Sequence, residues 1–285
     1  MLFSLNKYVL LLIATAILWS LGGVLIKSID WTPVAIAGSR SLIAALVISL
    51  VMPGVLQKIS RQSVPGAFAY AATVILFVVA TKLTTAANAI FLQYTAPIYI
   101  AMIGPWFLRE STSWQDWLLI LLALAGVALF FLDQLSLQGL SGIVAALGSG
   151  FSFAWLTILM RHQRAASPEA VVLLGNVITF LFALPWMFPV TKIEQNGPWL
   201  LVLGIVQLTI PYLIYSAAIR HVRALDASII GIIEPILNPI WVMLVTNERP
   251  AFWSIVGGSI VLATTLARSL IAFRNEQPIG NPPNG

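Results

Sequence analysis

The sequence predicts an all-α membrane protein, with ten transmembrane helices arranged as two inverted five-helix repeats. Three observations predict it. Of 285 residues, 59% are hydrophobic and 9% charged, with a mean hydropathy of +0.95. A soluble domain carries roughly 25% charged residues, so this chain cannot build a water-facing surface. Second, residues 225–250, LDASIIGIIEPILNPIWVMLVTNERP, have the length of a membrane span yet hold Glu234-Pro235 and Asn238-Pro239 inside it. Third, the pattern occurs earlier, over 87–111, at a constant offset of 138: Asn88 falls on Asp226, Pro97 on Pro235 and Glu110 on Glu248.

The elements follow in order. Lys7 precedes an apolar run that gives a first helix over 8–28. Ser20-Leu21-Gly22 in that run would suit a cleavable leader, but Trp19-Ser20 is echoed by Phe151-Ser152 deep in the chain. The run is therefore read as a helix of the fold. Asp30-Trp31-Thr32-Pro33 makes a tight turn, with the proline opening a second helix over 33–53. A polar loop with Lys58 and Arg61 leads to helices over 66–82, 86–107 and 114–132, and 133–139 divides the halves.

The second half repeats the count. A sixth helix covers 140–160, and Ser167 caps a seventh that begins at Pro168 and reaches about Phe188. Residues 192–197 read as a loop, followed by helices over 198–219, 226–246 and 252–272. The first repeat is thus 1–135 and the second 136–273, with 274–285 a polar, Pro/Asn-rich tail expected to be disordered. The 138-residue offset also sets Gly66 on Gly204, Phe77 on Tyr215, Ala80 on Ala218 and Lys82 on Arg220. At an offset of 135, Pro33 falls on Pro168.

Charge sets the orientation. With a cytoplasmic N-terminus, inner helix ends hold Lys7, Lys58, Arg61, Arg109, Arg161, Arg164, Arg220, Arg223, Arg268 and Arg274. The outer ends hold Lys27, Lys82, Lys192 and Arg249, and ten against four favours both termini inside. An odd number of helices per half then forces the halves to insert in opposite directions. Lys82 and Arg220 should lie on opposite sides of the bilayer.

Several short motifs carry a resemblance. They are Gly38-Ser39-Arg40-Ser41-Leu42 with Ala44-Ala45, Tyr94-Thr95-Ala96-Pro97-Ile98 with Leu108-Arg109-Glu110, and Glu234-Pro235 with Asn247-Glu248-Arg249. From about Tyr8 to Ile271 the chain resembles the drug/metabolite transporter superfamily in its ten-helix, EamA-like branch. It departs at Thr246-Asn247-Glu248, where that branch has Leu-Gly-Glu. Within the branch it resembles bacterial exporters of aromatic amino acids, of the YddG type. The resemblance implies a central cavity lined by helices 1, 3, 4, 6, 8 and 9, with helices 5 and 10 peripheral. It also implies a small-molecule substrate exported across a bacterial inner membrane.

Candidate site residues follow from depth and residue type. An acid as deep as Glu234 is costly in lipid and should face protein or a wet cavity. It reads either as a proton-coupling or substrate-ammonium site, or as the structural partner of Arg40. Helical spacing places Gly231, Glu234 and Asn238 on one face, and Asn88, Leu92, Thr95 and Tyr99 on another. Gln93 and Tyr99 are cavity candidates, and Asn88 near its helix start is either a cap or a coupling residue. Pro97, Pro235 and Pro239 remove backbone donors and read as hinges or plain kinks. Trp19, Ser20, Phe77, Ser152, Trp155, Tyr212 and Tyr215 complete the cavity candidates; aromatic rings there either hold a flat or cationic substrate or simply pack.

Other chemistry is poorly supplied. Cysteine is absent, which removes thiolate catalysis and thiolate metal sites, and His162 and His221 stand apart, so no cofactor or metal is expected. One deep acid without a deep histidine does not equip an intramembrane enzyme, and no phosphate-binding loop suggests ATP use. The scattered basic residues read as topology markers, so no nucleic-acid partner is expected, and the assembly expected is a monomer or weak dimer. Among substrates, drugs and nucleotide sugars compete with amino acids.

Overall fold

The computed structural model describes residues 7–84, 86–130, 132, 139–162, 167–188, 191–237 and 252–274. These residues form an all-α membrane protein with no strand among them. Seven helical stretches are long and apolar enough to cross a bilayer, and 114–129 and 255–268 form shorter apolar helices. The ninth span enters as an eight-residue helix and a further turn at 234–237, and its remainder lies outside the described residues. So do Asn238, Pro239 and the predicted tail beyond Arg274.

The first span is two helices, α1 (Lys7–Trp19) and α2 (Gly22–Lys27). The second is α3 (Pro33–Val51) and the third α4 (Ser63–Leu83). The fourth is also broken, into α5 (Ala86–Gln93) and α6 (Ala96–Phe107), and the fifth is α7 (Trp114–Phe130). In the second half, α8 (Leu140–His162) and α9 (Pro168–Ala183) are the sixth and seventh spans. The eighth runs through α10 (Ile193–Val202), a π-helical segment over Leu203–Thr209 and α11 (Ile210–Ile219). Next come α12 (Ala224–Gly231) and, as the tenth span, α13 (Phe252–Arg274).

Local chemistry sets these starts. Thr32 and Ser167 each accept a hydrogen bond from the backbone N–H three residues on, and each is followed by proline at the first helical position. Two corrections arise at helix starts. The third span begins at Ser63, three residues before the expected start. The eighth begins at Ile193, so the predicted loop over 192–197 is mostly helical, with Lys192 in the left-handed region as its N-cap.

The packing is duplicated. α4 lies on α8 as α11 lies on α1; α5 meets α8 as α12 meets α1; α4 meets α9 as the π segment meets α3. α3 against α9 and α7 against α13 each pair one span with its own repeat counterpart. These contacts of one half have their equivalents in the other.

The two ends differ in chemistry. At one end Arg161 bonds Glu110 at 2.8 Å, Arg220 bonds Glu169, and buried Arg268 bridges Asp116 at 2.7 Å and Asp226. Removing one partner from such a buried network costs about 3–5 kcal/mol. At the other end Lys82 donates to the Ile29 carbonyl at 2.6 Å, and Lys192 meets Asp30 at 2.5 Å. The Lys192 hydrogen bond and charge hold the exposed Asp30 carboxyl below the usual carboxylate range. Lys82 and Arg220 therefore lie at opposite ends of the bundle, as an inverted repeat requires. Leu50, Trp106 and Trp114 are 80%, 85% and 71% exposed, which suits a lipid-facing surface and not an aqueous one.

Candidate functional site

Interrupted helices meet at one level inside the bundle. The first span breaks at Ser20-Leu21, ahead of Gly22-Gly23, and the fourth at Tyr94-Thr95. The ninth turns out of helix at Ile232-Ile233, at the same 138-residue offset as the break in the fourth. Each of the latter two lies just before a proline, Pro97 or Pro235, whose missing N–H leaves the carbonyl four residues earlier without its helical partner. The eighth span widens to a π-helix ahead of Pro211, with Thr209 Oγ1 bonding Gly204 O five residues back at 2.7 Å. Such segments cluster at functional sites because they release backbone groups from the helical ladder.

A cavity opens at this level, its empty space of about 470 Å³ including open solvent beyond the mouth. Its aromatic wall is Trp19, Phe77, Phe153 and Tyr212. Polar groups enter from Arg40 on α3, Thr73 on α4, Gln93 and Tyr94 at the fourth-span break, Gln207 on the π segment and Glu234 on the ninth span. The first, third, fourth, sixth, eighth and ninth spans all contribute, joined by the second through Arg40. Among the described residues the fifth and tenth contribute none.

Glu234, 6% exposed, accepts a hydrogen bond from the Tyr94 hydroxyl. Both residues stand at helix breaks, so this bond ties the two interrupted helices of opposite halves together. Arg40, 2% exposed, donates from Nη1 to Gln207 Oε1 at 3.1 Å and from Nη2 to Val74 O at 3.3 Å. Among the described residues Arg40 and Glu234 do not pair, which corrects the structural reading of that couple. Gln207 also donates from Nε2 to the Trp19 carbonyl at 3.4 Å, at the end of α1. A Cβ on Gly22 would come within 2.7 Å of that Nε2, so the glycine leaves the room that the glutamine occupies.

Of the predicted cavity residues, Trp19, Phe77, Gln93, Tyr212 and Glu234 line the cavity. Gln93 Nε2 donates to Ser149 Oγ at 2.9 Å, and Ser149 in turn to Thr73 O at 3.0 Å. Tyr215 sits behind the wall, its hydroxyl 2.9 Å from Thr157 Oγ1 and its ring 5.4 Å from that of Trp19. Ser20 is buried in the first-span break and donates to Ile17 O at 2.6 Å.

Tyr99, Trp155 and Ser152 stand off the cavity. Tyr99 packs edge-on against Phe151, because the break at Tyr94-Thr95 destroys the continuous helical face on which it was placed. The spacing from Gly231 to Glu234 is interrupted in the same way at Ile232-Ile233, and Asn238, expected on that face, lies outside the described residues. Trp155 packs against Phe107. The inward face of α8 is Ser149, Phe153 and Thr157, at four-residue spacing, which leaves Trp155 and the half-buried Ser152 turned aside. Asn88 lies in the first turn of α5, inside the expected cap position, and donates to Thr84 Oγ1 at 2.9 Å.

Thr73, Tyr94, Phe153 and Gln207 are cavity residues that the sequence-based expectations do not include. The signal for Gln207 is legible in retrospect: a polar side chain deep in an apolar span, four residues before a proline. No group of His, Asp and Glu suited to a metal occurs among the described residues.

Comparison with known proteins gives one consistent result. The model of the EamA-like transporter family matches residues 6–132 and 140–269. An uncharacterised transporter of Archaeoglobus fulgidus is 25% identical over 195 residues, covering 68% of this chain and 71% of that protein. The pseudopaline exporter CntI of Pseudomonas aeruginosa is 26% identical over 279 residues, covering 93% and 96%. One solved structure superposes with a TM-score of 0.80 at 16% identity, over 95% of this chain and all of that one, which establishes likeness of fold. With its two matched stretches covering both halves of the bundle, the chain belongs to the EamA-like transporter family and is a transporter, not an enzyme.

Proposed function

We propose that the protein exports small amphipathic metabolites, amino acids including aromatic ones, by alternating access across a bacterial inner membrane with both termini cytoplasmic. One observation carries this reading: an aromatic-walled cavity holds the acid Glu234 where the broken fourth and ninth spans meet. A substrate ammonium would replace the Tyr94 hydroxyl at Glu234, with the aromatic wall taking the side chain. Because that hydroxyl bridges the two halves, its displacement would change the free energy of their contact. That difference is what a ligand needs to bias two states. Export as the direction is supported by the Pseudomonas relative, an exporter, and the orientation by the asymmetry of basic residues.

Counterflow in proteoliposomes tests this. Vesicles holding the purified chain and preloaded with a panel of amino acids should accumulate labelled phenylalanine or tryptophan. Exchange of a lipophilic drug cation or a nucleotide sugar, with none for any amino acid, would overturn the reading.

A further inference from the structure

Two buried donors of the cavity wall are left over. Among the described residues Arg40 Nε and Trp19 Nε1 have no hydrogen-bond partner, although both residues line the cavity and are only 2% and 8% exposed. Their residues are tied to one side chain. Gln207 receives Arg40 Nη1 on its oxygen and gives its nitrogen to the Trp19 carbonyl. The groups that Arg40 does bond, an amide oxygen and a backbone carbonyl, are neutral, and no carboxylate pairs with it among the described residues. An unsatisfied donor in a buried site is costly, and an uncompensated buried cation more so. A site that retains both is complete only when an acceptor with negative charge arrives.

We propose that Arg40 Nε and Trp19 Nε1 form the subsite for the carboxylate of the transported solute, so that the cavity selects zwitterions. The proposal rests on the reading that the solute occupies this cavity with its ammonium at Glu234. Arg40 and Glu234, which line one cavity without pairing among the described residues, match a molecule bearing one charge of each sign. The planar guanidinium suits a two-oxygen acid, and Trp19 adds a single fixed donor. A phosphate monoester would bring further charge to a wall whose other polar groups, Thr73, Gln93 and Gln207, are neutral. Gln207 is a positioning residue here, since it fixes Arg40 and needs no contact with the solute.

The test is competition against labelled L-phenylalanine counterflow, using unlabelled L-phenylalanine, its methyl ester and phenethylamine. The competitors share ring and ammonium and differ in the carboxylate. The free acid should compete about tenfold or more better than either analogue, the range of a hydrogen bond to a charged group. Trp19→Phe, which keeps an aromatic ring and removes the donor, should shrink that gap several-fold, and Arg40→Lys should shrink it further. Thermal stabilisation of the wild-type chain in detergent by the three probes should rank them identically, so the test does not depend on how a variant folds. Equal competition or equal stabilisation by acid and ester would overturn the carboxylate subsite and leave amino-acid transport standing. An undiminished gap in a folded Trp19→Phe protein would also overturn it. Absence of any amino-acid exchange would overturn the transport reading and this subsite together.

Discussion

Glu234 concentrates the chemistry of the site at a single residue. A carboxylate this deep is tolerable only with a donor fixed on it, and Tyr94 supplies one from the opposite half. Glu234→Gln keeps an acceptor for Tyr94 and removes the charge. It should therefore lower phenylalanine counterflow about tenfold or more, while the melting temperature in detergent changes little. Unchanged transport would assign Glu234 to packing alone. The acid was legible in the sequence because apolar spans rarely contain one; its partner was not. Tyr94 lies 140 residues away, and only the crossing of two helix breaks brings them together. Trp19, Phe77, Gln93 and Tyr212 reach the cavity wall from unambiguous positions in their spans. Tyr99 and Trp155 do not: a helix break interrupts the spacing before Tyr99, and Trp155, chosen by depth and residue type, lies on a side of α8 turned from the cavity.

The interrupted spans are the elements that matter. Pro97 and Pro235 announce two of them, and the breaks fall two and three residues ahead of each proline, within the turn whose backbone bond the missing N–H removes. The break in the first span has no proline and arises at Ser20 through Gly23, a small-residue cluster of the kind that bends helices. The π segment was hidden because hydrophobic periodicity cannot distinguish a five-residue from a four-residue bond ladder. Gly150 of α8 packs directly on the fourth-span break: a Cβ there would sit 2.8 Å from the Gln93 carbonyl oxygen and 3.0 Å from that of Leu92. These are backbone atoms that cannot swing aside. Gly150→Ala should destabilise the protein by about 1–3 kcal/mol, read as a lower melting temperature in detergent, and should reduce counterflow. A variant as stable and active as wild type would mean that α8 and the break move apart freely.

At the scale of the molecule, the fold rests on duplication with inversion. The count of spans, the 138-residue register and the surplus of basic residues at one end together predict opposed halves. The structure realises them as equivalent contacts, with Lys82 and Arg220 at opposite ends. Inversion also explains why the cavity lies midway: helix breaks at matching positions of two antiparallel halves meet near the centre. The most direct measurement uses the natural absence of cysteine. Leu83 and His221, exposed residues one position beyond Lys82 and Arg220 and related by the same offset, are replaced singly by cysteine. They are then labelled in intact cells with a membrane-impermeant maleimide. With the proposed orientation, Leu83→Cys labels from outside and His221→Cys labels only after the membrane is opened. Labelling of both from the same side would contradict the inverted repeat, and with it the shared cavity.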